Sequence, residues 1–376
     1  MASTVFCRLG YRTLRPCRQA CSSYVLVAKL SQFSSRSRLV VPASQSVPSR
    51  GLRETPWTFF TGFKFDNVFH EGSKIIVVDG NIGSGKSELA KTLADKLGMK
   101  YMKEAHLHYL DEQLLGEGKK LDKKFIGNVS LEQFYKDPYA KDGHSFRMQM
   151  MMYGIRFMMY SDVLEHLFNT GQGIVMDRSV YSDFVFMEAM YKMGYFRKQC
   201  YDFYNEIKQI SLYRLREPHL VIYLDTPVDI AKKRLKEREG DNIPDIPEEY
   251  LQHLETIYKE QFLPKMAETS EILTYDWSIY GDVDQIIEDI EMLEFANTSW
   301  TGLSNATLDR LYRFVSHKGK VARCLDMEKY LPEVTFGAHE IADLAREWKE
   351  IPGNMYKKGF NENEYGEKDL WKMLFK

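Results

Sequence analysis

Five short apolar runs, at 74–79, 99–103, 173–177, 219–225 and 272–276, punctuate the chain. The stretches between most of them place apolar residues at helical spacing, which predicts helices over 86–97, 145–168, 183–191, 201–214, 228–239, 248–262 and 282–295. Gly98 stands where a glycine would close the first of these helices. Strands that read as continuous apolar runs, alternating with helices, call for a parallel sheet covered on both faces. The expected fold is therefore α/β and doubly wound, with ligands outside the carboxyl ends of the strands. Gly80, Glu104, Asp177 and Asp225 all fall at such ends.

Other stretches lack this rhythm. Residues 105–143 are polar and weakly periodic and read as loop. Residues 54–73 carry Trp57, Phe59, Phe60, Phe63, Phe65 and Phe69 without a clean period, as a leader packing on a surface would. From 298 to 376, Trp300, Trp348, Trp371 and many tyrosines mix with charges, with modest helical patches near 307–315 and 338–348 and no sixth strand-helix unit. The methionines at 148, 150, 151, 152, 158 and 159 read as adaptable core filler.

Charge divides the chain more sharply than its formal net value of −2 suggests. No Asp or Glu precedes residue 54, while nine of the 51 basic side chains lie there, leaving 42 against 53 acidic ones in the remainder. An Arg- and Ser-rich, acid-free start reads as a mitochondrial presequence over 1–53, its cleavage point open, in preference to a basic arm for nucleic acid. Three of the five cysteines lie inside it, and Cys200 and Cys324 form neither a disulfide framework nor a metal-ligand spacing. No apolar run approaches the length of a membrane span. The organisation expected is a presequence, a domain over 54–297 and a C-terminal extension over 298–376.

The first strand breaks into Gly80-Asn81-Ile82-Gly83-Ser84-Gly85-Lys86-Ser87. This meets the P-loop template at every fixed position, in the required strand-loop-helix context. Backbone N–H groups of the turn and the helix start are unpaired donors at the positive end of a helix dipole, suited to phosphate oxygens. Lys86 would reach the β/γ-phosphates and Ser87 would ligate Mg²⁺. Asp177 suits the metal or its water, Arg178 a phosphate or the attacking oxygen, and Glu104 the proton of an attacking hydroxyl.

Together these motifs resemble the deoxynucleoside kinase family. The likeness covers about 74–265 and rests on the Gly80–Ser87 loop, Glu104, Gln149 seven residues before Arg156, Asp177-Arg-Ser-Val-Tyr-Ser-Asp183, and Tyr223-Leu-Asp-Thr-Pro227 leading into a basic helix. The resemblance implies a five-stranded sheet in the order 2-3-1-4-5, with Gln149 on a base beside Arg156, Asp183 helping to orient it, and Glu104 as general base. It also implies Arg178 near the 5′-oxygen, Asp177 serving Mg²⁺, and Arg234 and Arg238 in a lid over the phosphates. The chain departs from the family at Gly240, where a third lid arginine is usual, and at Ile243, where a carboxylate for the sugar is usual. Glycine cannot stabilise transition-state charge and isoleucine cannot accept the sugar's hydrogen bond.

Taken whole, with presequence, aromatic leader and long extension, the chain is similar to the kinase-like accessory subunits of mitochondrial complex I. That similarity implies a non-catalytic role in assembly or stability on the matrix side of the inner membrane, with other complex I subunits as partners through the termini. It implies ATP, ADP or another nucleoside phosphate with Mg²⁺ as ligand. A flavin (FAD) is attributed to this group only by family, and Gly80–Ser87 suits a nucleoside phosphate better. The other reading is an active mitochondrial deoxynucleoside kinase transferring the ATP γ-phosphate to a deoxynucleoside 5′-hydroxyl.

Overall fold

The computed structural model describes residues 65, 68–109, 111–112, 128–239, 246–296, 298–327, 329–335, 342–343 and 346–347. Strand β1 (Ile75–Gly80) passes through the glycine turn into α1 (Lys86–Leu97), and β2 (Lys100–Met102) follows. After α2 (Leu131–Lys136) and the long α3 (His144–Thr170) come β3 (Ile174–Asp177), α4 (Asp183–Lys192) and α5 (Lys198–Leu212). Strand β4 (Leu220–Asp225), α6 (Val228–Glu239), α7 (Glu248–Ile257) and β5 (Glu271–Asp276) complete the sheet. Helices α8 (Val283–Glu291), α9 (Asn305–Val315) and α10 (Lys318–Arg323) follow it. The strands pair in parallel in the order β2-β3-β1-β4-β5, as the resemblance implies.

Residues along the central strands alternate between two cores, because successive side chains leave opposite faces of a strand. Ile75, Val77, Ile174, Met176, Val221 and Tyr223 enter the larger core with α3, α4, α5 and α7. Ile76, Val78, Val175, Leu220 and Ile222 enter the smaller one with α1 and α8. Both faces being apolar is what hides the strands' periodicity and makes them read as unbroken runs.

Helix α1 ends at Leu97 with Gly98 in the left-handed conformation, as expected. Two expectations need correction. Residues 131–136, read as loop, form a short helix whose first turn is capped by Ser130 accepting from the Gln133 N–H. The helix expected over 248–262 stops at Ile257 and continues as a π turn, Tyr258–Phe262, which no 3.6-residue period reveals.

The larger correction concerns the C-terminal segment. Leu308, Leu311, Tyr312, Val315, Val321, Ala322, Leu325, Leu331 and Val334 belong to the main core rather than to an external extension. Phe65 of the leader is fully buried against Phe168 and Tyr312, and its N–H donates to Asn305 Oδ1 at 3.3 Å. Trp300 stacks on His219 at 4.6 Å and donates from its indole nitrogen to the Glu217 carbonyl at 2.7 Å. These contacts gather at the amino ends of the strands, where His219 Nδ1 also accepts the Ile75 N–H at 3.0 Å. Residues 298–335 thus pack on the domain rather than standing apart from it. The presequence, Gly240, Ile243 and most of 338–348 lie outside the described residues. No helix among the described residues is long and apolar enough to cross a membrane.

Helix α10 is too short to show an apolar period, and beside Val321 and Ala322 in the core it buries a charged side chain. Lys318, only 5 % exposed, pairs with Asp162 and with Glu165 at 2.9 Å and donates to Ser161 Oγ at 3.1 Å, all on α3. Replacing it strands two half-dry carboxylates. Lys318→Met should lower unfolding free energy by roughly 3–5 kcal/mol, read as a shift in urea midpoint of the full chain. A midpoint at the wild-type value would show that α10 is not pinned this way.

Candidate functional site

The turn between β1 and α1 is built around three glycines. Gly80, Gly83 and Gly85 hold φ values of 154°, 78° and 87°, open only to glycine without strain. Space forbids a side chain as well: a Cβ would lie 2.9 Å from the Leu224 carbonyl oxygen at Gly80, 2.7 Å from Leu235 at Gly83 and 2.9 Å from the Tyr280 ring at Gly85. Asn81 holds the turn from within, its Nδ2 donating to the Leu251 carbonyl at 3.1 Å and its Oδ1 accepting the Ile82 N–H at 2.8 Å. Lys86 Nζ donates to the Asn81 carbonyl at 3.2 Å and is buried. Burial, and then the nearby Arg178 guanidinium, bring its pKa down to about 8 against the pull of Glu104, Asp177 and Asp79. Ser84 Oγ is buried with no partner, and Ser87 is exposed at the helix start.

Arg178 follows β3 in the left-handed region at φ 54°, a conformation that costs a non-glycine residue energy and must be held by its surroundings. Its guanidinium donates to Glu104 Oε1 at 2.6 Å, to the Gly80 carbonyl at 2.7 Å and to the Tyr258 hydroxyl at 3.4 Å. Tyr258 donates onward to Asp79 Oδ1 at 3.0 Å. Asp79 is fully buried and its other oxygen has no partner. Burial raises its pKa above the usual carboxylate range despite Arg178 and Tyr258. For Glu104 the balance reverses. Burial pushes it up, but Arg178, Lys86 and Arg156 together outweigh that and hold it at about 2.

Asp177 closes β3, with Oδ2 accepting from the Tyr101 hydroxyl at 2.9 Å and Oδ1 buried without a partner. Burial raises its pKa, opposed by Ser87, Tyr101 and Lys86. An orphaned carboxylate oxygen beside the Ser87 hydroxyl is a pair of hard oxygen ligands that would suit Mg²⁺.

On the other side of Glu104 a second cluster assembles. Asp183, with no exposed surface, accepts from Arg156, from Gln149 Nε2 at 3.0 Å and from the Tyr204 hydroxyl at 2.7 Å. Arg156 also lies 3.7 Å from Glu104, and both Arg156 and Arg178 stand 4.9 Å from the Phe186 ring centre. The pocket residues expected from the sequence, Gln149, Arg156 and Asp183, therefore form one bonded group joined through Glu104 to Arg178.

Arg234 reaches the loop from α6, donating to the Ser84 carbonyl at 3.2 Å and the Ser278 carbonyl at 3.0 Å, with its guanidinium 4.3 Å from the Tyr280 ring centre. The side chain of Arg238 lies outside the described residues. Asp79, Tyr258, Tyr204 and Phe186 were not singled out by motif reading. Asp79 alone left a trace, as a carboxylate ending a β-branched run.

The deoxynucleoside kinase family profile matches residues 76–300. NADH dehydrogenase (ubiquinone) 1 alpha subcomplex subunit 10, mitochondrial, of Bos taurus is 43% identical over 320 residues, covering 85% of this chain and 93% of that protein. Deoxyguanosine kinase of Dictyostelium discoideum is 28% identical, covering 60% of this chain and 71% of that protein. Among solved structures, deoxyadenosine kinase from M. mycoides with bound dATP aligns at 22% identity and TM-score 0.45, covering 58% of this chain and 99% of the other.

The depressed pKa of Lys86 has a measurable sign. Free Lys86 loses its proton as pH rises through about 8, whereas a bound polyanion would hold that proton on. Affinity for pyrophosphate should therefore be level below pH 8 and weaken by up to about tenfold per unit above it. Calorimetry across pH 7 to 10 should show proton uptake on binding at the alkaline end; flat affinity would place Lys86 outside the anion site.

Proposed function

The chain belongs to the deoxynucleoside kinase family, and from that membership we propose that it is an accessory subunit of mitochondrial complex I that keeps a nucleotide site without running phosphoryl transfer. The observation that carries this reading is the contrast in likeness: 43% identity across 93% of a complex I subunit, against 28% across 71% of a kinase. The site chemistry agrees with it. A carboxylate held at about 2 by Arg178, Lys86 and Arg156 is a weak acceptor for a hydroxyl proton. Gly240 and Ile243 remove a lid cation and a sugar acceptor from the sequence.

What remains suits binding. The Gly80–Ser87 turn and Lys86 would hold phosphates, Arg234 would complete the phosphate shell, and Asp177 with Ser87 would hold Mg²⁺, which neutralises charge between phosphate oxygens. Gln149 and Asp183 would meet the base. A bound nucleoside phosphate would tie β1, β3 and α6 together, so occupancy stabilises the fold by mass action. The placement that follows is peripheral to the inner membrane on the matrix side, with neighbouring complex I subunits as partners.

Purified protein incubated with Mg-ATP and each of four deoxynucleosides should yield no appreciable monophosphate, yet bind ATP in a manner lost in Lys86→Ala. Robust product, abolished by Lys86→Ala or Glu104→Gln, would make the kinase reading correct. In cells, depletion of the chain should reduce fully assembled complex I on native electrophoresis; unaltered complex would remove it from the assembly.

A further inference from the structure

Between β5 and α8 the chain turns back over the start of α1. Trp277 lies there 3 % exposed, and its indole Nε1, itself out of contact with water, has no hydrogen-bond partner. That nitrogen is 3.7 Å from where a Cβ on Gly85 would stand, beside the uncapped N-terminus of α1. Ser84 Oγ, fully buried in the same turn, is also unpartnered. Burying a donor without an acceptor is costly, and native proteins tolerate it chiefly where something else supplies the acceptor. An indole N–H can only donate. Next to the amides of a helix N-terminus and Lys86, an anionic oxygen is the acceptor that these surroundings favour.

The ring of Tyr280 covers this corner. Tyr280 lies across Gly85, 58 % exposed, with Arg234 against its face and the Trp277 ring edge-on at 6.3 Å. Arg234 is bonded both to the phosphate turn at Ser84 and to the Tyr280 loop at Ser278, so one side chain fastens α6, the turn and the covering loop together. A tyrosine this exposed has little packing to lose by swinging outward.

We propose that the Trp277 indole, with the Ser84 hydroxyl, is a second set of donors for the phosphate oxygens of a nucleoside polyphosphate at the start of α1, and that Tyr280, held by Arg234, is the gate over it. This rests on the nucleotide-site reading above. The full chain is titrated with Mg-ATP and with inorganic tripolyphosphate, beside Trp277→Phe and Tyr280→Ala. Trp277→Phe should weaken both probes roughly tenfold, the loss of one charge-assisted hydrogen bond, and Tyr280→Ala should raise the association rate of both. Unchanged affinity in Trp277→Phe, or a loss confined to ATP, overturns the phosphate donor; an unchanged association rate in Tyr280→Ala overturns the gate. Nitrogen-15 tryptophan labelling of the wild-type chain reads the same point without a variant: one indole N–H resonance must move on saturation with tripolyphosphate, and none moving sinks the assignment. Failure of the wild-type chain to bind either probe would instead overturn the nucleotide site itself.

Discussion

A buried guanidinium organises the carboxyl end of the sheet. Arg178 is 4 % exposed, and a cation so placed survives only if every donor it presents is answered. Its answers come from Glu104 after β2, from the Gly80 carbonyl at the end of β1, and from Tyr258 in the π turn after α7. Three segments distant in sequence are thus held at one point, and the strained backbone of Arg178 itself is repaid by those bonds. Through Glu104 the same charge reaches Arg156 and Asp183, so the phosphate turn and the base pocket share one electrostatic network.

The same network sets the protonation of its carboxylates in opposite directions. The charges that would polarise a reacting hydroxyl are already spent on each other, and the more firmly Arg178 and Arg156 hold Glu104, the less proton affinity it retains. Binding asks less. A turn of backbone amides, a lysine and an orphaned carboxylate oxygen are the groups that a phosphate and its metal would require, and none of them needs to exchange protons with a substrate.

Much of this was legible in the sequence wherever local chemistry forces the outcome. Helix α1 begins after Gly85 and stops before Gly98 because both glycines occupy left-handed backbone, and the phosphate turn announces itself through residues that no other role demands together. What escaped depends on distant partners. Helix α10 is held by Val321 and Ala322 in the core and by the two carboxylates that α3 offers to Lys318, and nothing near residue 318 encodes those partners. The place of Trp300 was not legible because composition records an aromatic but not the His219 ring and Glu217 carbonyl that receive it. Tyr258 and Trp277 reach the site only through a π turn and a loop closure, geometries that leave no period.

The aromatic leader and the C-terminal segment converge at the amino ends of the strands, where Phe65 meets Asn305 and Trp300 covers His219. Parallel strands put the ligand mouth at the opposite pole. The segments that flank the sheet in sequence therefore brace it at the pole away from the glycine turn.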